Sequence, residues 1–300
     1  MRALFVLTPA ESKRLIGKGV ANMEEVRRAK ERGRIIIGHG STNVYVAEEI
    51  LGKEEVSRLF SRDAYMSGLT VRGNLCTTVG NEKGPILLIN HGLVEPPPAT
   101  MSEMLREFGP DSVFIKGANA VDPEGRAAAF MAHPEGGTIG WAIGIILAKG
   151  IPLVAPVGLE KLIPSVEKAL PMCGQQTYDY CQGLRVGLMP LSGARVVTEI
   201  TALKELCGVE STHVASGGCG GSEGSVVLVT EGATDVVEKA IELVESIKGE
   251  PPLAPRKGIC ATCTIASPAQ PKDYKTDGFA QRCRFEKKKE SDLPGYLRDR

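Results

Sequence analysis

Over the first two thirds of the chain, short apolar runs rich in β-branched residues alternate with segments whose apolar positions recur every three or four residues. That alternation predicts a parallel sheet covered by helices. The strands expected are residues 3–7, 34–37, 86–89, 113–115 and 152–157. They read as continuous apolar runs, as strands buried on both faces do. Helices are expected at 23–32, 42–51, 101–108 and 139–148. Thr100 and Glu103 have the spacing of a capping box, and Gly52 and Gly150 suit the left-handed residue that closes a helix.

Beyond about residue 190 the pattern changes to a strand at 194–200, a helix at 201–207, strands at 211–215 and 225–229, and a helix at 234–248. Val237, Ala240, Ile241, Val244 and Ile247 form the apolar stripe of that last helix. The expected architecture is therefore α/β: a Rossmann-like domain over 1–190, with a mostly parallel sheet and helices on both faces, then a small α+β unit over 191–250. The βαββα order of that unit suggests a ferredoxin-like arrangement. Residues 251–300 carry eleven Lys or Arg against six Asp or Glu and few aliphatic side chains, so this cysteine-containing tail is not expected to build a core of its own.

Composition narrows the picture. With 300 residues, 42% apolar and 24% charged, the chain has the make-up of a soluble globular protein. Its 36 basic and 36 acidic residues cancel, so no global field draws it to nucleic acid or to an anionic membrane. The longest apolar stretch, 139–158, is broken by Lys149, Pro152 and Pro156 and fails as a membrane span. The apolar run at 3–7 is too short for a secretory signal, so the eight cysteines are expected in a reducing cytoplasm as thiols, redox groups or metal ligands. Lys287, Lys288 and Lys289, with Arg282, Arg284 and Phe285, read as a solvated charge run rather than a nucleic-acid contact. The expected partner is an anionic small molecule; self-association into a homo-oligomer stays open.

The candidate chemistry begins where strand 34–37 runs into Gly38-His39-Gly40-Ser41-Thr42-Asn43 and then a helix. Glycines admit a ligand close to the backbone, the first helical N–H groups point out of the turn, and hydroxyls add donors, a combination suited to phosphate or carboxylate. A plain N-cap after a tight turn is the competing reading. A second turn, Lys116 to Gly125, would bring Lys116, Gly117, Asn119, Asp122 and Glu124 to the same sheet edge, although Asp122 to Gly125 also has the composition of a simple β-turn. A third, with Gly136, Gly137 and Thr138, again precedes a helix. His91, at the end of strand 86–89, pairs with Glu95 as a candidate acid and base, and His39 is a candidate ligand donor.

Cys260 and Cys263 form a C-x-x-C pair that Cys283 follows. Two thiolates at this spacing grip one tetrahedral ion, with Cys283 as a third ligand and Cys219, in a loop of five glycines, Cys207 or His213 as the fourth for zinc or an iron–sulfur cluster. Dithiol redox chemistry and free thiols stay open, and no other cofactor is expected.

Residues 38–43 resemble the Gly-x-Gly-Ser-Thr phosphate loop of the superfamily containing ribose-5-phosphate isomerase, glucosamine-6-phosphate deaminase, DeoR-type sugar-sensing domains and CoA transferases. Residues 114–125 resemble the Gly-Ala-x-x-hydrophobic-Asp segment of the DeoR-type domains, and Gly136-Gly137 is similar to the glycine pair that opens the next helix in the isomerases. The resemblance covers about residues 30–165 and implies a Rossmann-like sheet, with Lys161 near the position of a ligand-facing lysine. Ala118-Asn119-Ala120 stands where the isomerases carry acids, so the resemblance implies a ligand class rather than one reaction. The resulting expectation is a protein that binds a sugar phosphate or an acyl or CoA-like compound and performs isomerase- or transferase-type chemistry, with Asp122, Glu124, His91 and Lys161 as the catalytic candidates. The alternative is a non-catalytic sensor or accessory metalloprotein.

Overall fold

A computed structural model describes residues 1–78, 83–256, 258–263 and 283–298. Arg282 lies outside the described residues. From the N-terminus the elements are β1 (Arg2–Leu7), α1 (Pro9–Asn22), α2 (Glu24–Arg32), β2 (Arg34–Ile37), α3 (Ser41–Leu51), α4 (Lys53–Leu59), β3 (Leu69–Val71), β4 (Asn74–Cys76), β5 (Leu87–Asn90) and β6 (Leu93–Glu95). They continue with α5 (Met101–Met104), β7 (Val113–Ile115), β8 (Ala120–Val121), β9 (Ala127–Met131), α6 (Gly137–Lys149), β10 (Leu153–Pro156), α7 (Val166–Ala169) and β11 (Gly187–Pro190). The last are β12 (Arg195–Val197), α8 (Glu199–Cys207), β13 (Glu210–Gly217), β14 (Ser225–Glu231) and α9 (Thr234–Ile247).

The chain is mixed α/β around a six-stranded sheet of order β12-β10-β7-β2-β5-β6. β12, β10, β7 and β2 run parallel, whereas β5 and β6 form an antiparallel hairpin at one edge. Both faces are buried. Ile35 and Ile37 join the core formed with α1, α2 and α3, while Ile36 joins Leu88, Phe114 and the apolar residues of α5 and α6 on the other face. A strand covered on both sides gains from apolar residues at every position, which is why 34–37 shows no alternation. Among the described residues no helix is long and apolar enough to cross a membrane.

Two strands exchange places relative to expectation. Residues 195–197, expected to open the small α+β unit, instead pair in parallel with β10 in the main sheet. Their place is taken by β1, expected in the parallel sheet, which pairs antiparallel with β14 in a three-stranded sheet of order β1-β14-β13. β1 shows the reason in its burial: Phe5 and Leu7 face the core, but Leu4 and Val6 are exposed, the one-sided burial of an antiparallel strand. Phe5, Leu7, Val226 and Leu228 then share a single core with Ile35, Val154 and Val197, so the small sheet and the main one are packed together through α1.

α1 has no counterpart among the expected elements, although Thr8 and Glu11 form a capping box and Pro9 occupies the first turn. Lys13 and Arg14 are buried on this helix, which removes the polar face that periodicity relies on. Arg14 is 2% exposed and donates to Glu48 and Glu49 of α3 and to Glu250. Burial alone would lower its pKa, but the bonds to Glu250 and Glu48 more than offset this and raise it. The same guanidinium lies 4.8 Å from the ring centre of the buried Tyr45.

The expected Thr100–Glu103 capping box forms. α5 stops at Met104, short of the expected 108, because Lys149 of α6 donates its amine to the carbonyls of Leu105, Arg106 and Phe108 as the chain turns away. In the tail, Cys260, Phe285, Leu293 and Leu297 gather into a small apolar cluster, contrary to the coreless segment expected from composition.

Replacing Arg14 by Met leaves Glu48 and Glu250 buried with Arg62, at 3.3 and 3.4 Å, in place of their buried cation, and breaking such a buried pair costs about 3–5 kcal/mol. Denaturant unfolding of Arg14→Met is expected to show a loss of that size, whereas Arg2→Ala, which removes an exposed pair with Glu231, changes stability by less than about 1 kcal/mol.

Candidate functional site

β2, β7 and β10 run parallel, so the loops after all three leave the sheet at one end. Gly38 anchors its loop by donating its N–H to Ile115 and accepting from the Asn43 side chain at 2.7 Å. Helix α3 then starts at Ser41 with no side-chain cap, and its first i→i−4 bond is Val44 N–H to Gly40. The amides of Ser41, Thr42 and Asn43 therefore precede the helical ladder, at the positive end of the helix. Thr42 is 2% exposed, yet its hydroxyl has no partner among the described residues. α6 likewise opens without a side-chain cap, at Gly137 and Thr138 after Gly136. A Cβ on Gly38 would meet the Lys116 side chain at 3.3 Å and Thr138 at 3.9 Å, which brings all three expected turns to one place.

Three amines surround this point. Lys116 donates to the Gly117 carbonyl and Lys161 to the neighbouring Ala118 carbonyl, at 3.2 and 3.1 Å. Lys83 bonds the hydroxyls of Ser67 and Thr77, while the adjacent Gly84 carbonyl accepts from His39. Among the described residues, no carboxylate lies within salt-bridge distance of any of them. Burial and the charges of Lys161 and Lys83 lower the Lys116 pKa to about 8. Lys161 also falls to about 8, through burial, which Glu160 and Glu199 oppose and Lys13 reinforces. Burial brings Lys83 down to about 8 as well, against an opposing contribution from Cys76. The fully buried Glu199 holds the turn that carries Lys161 by accepting the Leu159 N–H on its carboxylate.

His39 sits against the Tyr65 ring, 4.7 Å between centres, with Nε2 2.7 Å from the Gly84 carbonyl. A carbonyl only accepts, so Nε2 carries the proton and Nδ1 is left as an acceptor. Burial, then Lys83 and Lys116, hold its pKa at about 3.

The carboxylates and histidine expected to be catalytic do not join this group. Asp122 is buried, and its two oxygens accept the N–H groups of Arg126 and Val166, so it closes its own turn and begins α7. Burial works to raise its pKa, but those backbone bonds and Arg126 hold it below the ordinary value. Glu124 is exposed at the tip of the β-turn closed by the Gly125 N–H to the Asp122 carbonyl. His91 lies at the other end of the sheet, because β5 runs antiparallel to β2 and Asn90 pairs with Arg34. His91 and Gly92, with φ of 48° and 80°, form the tight turn of the β5–β6 hairpin, and Glu95 bonds Asn90 nearby. Asn119 bridges the Gly68 carbonyl and the Phe130 N–H, which leaves its amide in a structural role. Gly117 packs on Asn43 at the base of the loop.

Among the cysteines, Cys260, Cys263 and Cys283 come together at the tail, but Cys219 is exposed in the turn between β13 and β14. Among the described residues no three His, Cys, Asp or Glu side chains are set closely enough to hold a metal ion as they stand. A separate cleft of about 620 Å³, lined by Arg72, Gly73, Gln182, Tyr296 and Arg298, lies away from the lysines. Its Arg298 is tied to the Leu293 and Ser291 carbonyls. Set against family models, curated proteins and solved structures, the chain matches none.

The His39 ring is expected to stay neutral from about pH 8 down to about pH 4, with Nε2 protonated throughout. Nitrogen-15 shifts of labelled histidine check this.

Proposed function

We propose that the chain binds a small phosphorylated or carboxylated metabolite at the carboxyl edge of the parallel strands, in a Rossmann-like arrangement of the superfamily that its phosphate-like loop resembles. The observation that carries this reading is the cluster of Lys83, Lys116 and Lys161, without a carboxylate partner among the described residues, beside the uncapped N-termini of α3 and α6. Packing three ammonium groups together costs stability, and an anion seated among them reverses that cost.

Isomerase- or transferase-type chemistry at this site rests on the lysines. An amine whose pKa lies near 8 both takes up and returns a proton close to neutrality, which Asp122, held ionised by backbone N–H groups, does not. Lys161, expected from the start, and Lys116, expected as a ligand contact, are the acid–base candidates; Glu199 positions the first through Leu159. His39 offers Nδ1 as an acceptor to a ligand hydroxyl.

The folded pKa of Lys116 lies below its ordinary 10.5, so the unliganded fold carries the full penalty below about pH 8, and stability rises as pH increases from about 8 toward 10.5. Anion binding restores the proton, so affinity falls over the same window. In thermal unfolding with a panel of sugar phosphates, 2-oxo acids and CoA thioesters, a hit at about a hundredfold excess over Kd raises Tm by about 5 °C or more. Lys116→Met is expected to raise the unliganded Tm by about 2–4 °C while abolishing the ligand shift. An undiminished ligand shift in both Lys116→Met and Lys161→Met would remove the site.

A further inference from the structure

The tail reaches the body of the protein at β4. Leu75 exchanges backbone hydrogen bonds with the segment beside it, its N–H to the Gln182 carbonyl and its carbonyl to the Leu184 N–H. The approach is so close that a Cβ on Gly183 would stand 2.0 Å from the Leu75 carbonyl, so only glycine fits. Leu184 in turn pairs antiparallel with Cys283. The turn after Cys283 brings the Lys287 N–H to the Cys260 carbonyl at 2.8 Å, and the Cys263 N–H closes on the same carbonyl. A continuous set of backbone bonds therefore links the neighbourhood of Cys76 to Cys283, Cys260 and Cys263.

Cys260 and Cys283 pack in one small apolar cluster, and Cys76 directly follows Leu75 on β4. Phe285, Leu293 and Leu297 cover the tail side with apolar surface. The donor set suits a thiophilic metal: soft ligands, two from a C-x-x-C turn and two from separate segments, in a stretch whose own core has only a handful of apolar residues. As the side chains stand, no three of these thiols are set closely enough to hold a metal ion.

We propose that Cys76, Cys260, Cys263 and Cys283 form a four-thiolate site for a thiophilic metal centre, with Cys76 rather than Cys219 as the fourth ligand. Each thiol gives up its proton on binding, so the metal replaces protons and no redox change is needed. The site clamps the tail to β4, one residue before Thr77, which holds Lys83. It is independent of what the lysine cluster binds.

The test uses the full chain, purified without oxygen, stripped of metal and titrated with Co²⁺, whose tetrahedral thiolate complexes absorb intensely. The expected result is binding of about one Co²⁺ per chain, displaced by Zn²⁺, with affinity lowered at least about tenfold in Cys76→Ser and Cys283→Ser and unchanged in Cys219→Ser. Cobalt binding that survives in Cys76→Ser, or is lost in Cys219→Ser, would overturn the assignment. Should Cys76→Ser not fold, the wild-type chain answers by alkylation. Zn²⁺ is expected to shield Cys76, Cys260, Cys263 and Cys283 from iodoacetamide while Cys219 stays reactive, and equal labelling of all cysteines with and without Zn²⁺ would also overturn it.

Discussion

The buried guanidinium of Arg14 is the constraint on which the rest of the molecule hangs. Its helix packs against α3 and α8, and its guanidinium makes four hydrogen bonds to carboxylates on α3 and at Glu250, where the chain leaves α9. Arg62 joins from the far side by contacting Glu48 and Glu250, and both guanidiniums lie over the Tyr45 ring. A charge this deep is tolerated only where its partners are fixed, so the network fixes them. Holding α3 by its carboxyl-terminal half also sets the direction in which its uncapped start points. The placement of the helix start at Ser41 is thus decided about two turns away.

Much of the frame was legible in the sequence because it follows from simple burial. The runs at 34–37, 113–115 and 153–156 are apolar at every position since both faces of the sheet are covered, and no other environment favours that pattern in so short a segment. The loop after β2 and the glycine pair before α6 were legible for a related reason: an uncapped helix start following a strand leaves few residue choices. Long-range partnership was not. Whether 3–7 or 195–197 enters the large sheet depends on which edge each finds, and the two segments look alike in composition. Helix α1 escaped because its charges are paired internally, and a pattern-based reading counts a charge as exposed.

The site was legible in position but not in chemistry. The turns were expected to deliver acids, and Asp122 and Glu124 satisfy the local needs of a turn that would exist without any ligand. Lys116 and Lys161 were among the candidates, but only the fold shows them facing neighbouring carbonyls with no carboxylate in salt-bridge distance among the described residues. His91 illustrates the direction problem: being at the carboxyl end of a strand matters only when that strand runs with its neighbours. The proposed fourth thiol, Cys76, lies on a short hairpin 184 residues before Cys260 and so carries no spacing signal.

The pairing of β1 with β14 has a consequence for biogenesis. Arg2 and Glu231 are register partners, so β1 has no neighbour in its sheet until 229 further residues have been added. At about 5–20 residues per second that is a wait of roughly 10–45 s, during which Leu4, Phe5, Val6 and Leu7 travel unprotected. The main sheet, whose strands are all contained between residues 34 and 197, can condense first. Assembly then finishes by bringing β1 and β14 together, and a shortened product ending before residue 225 would leave an unmatched sticky edge for chaperones or proteases to find.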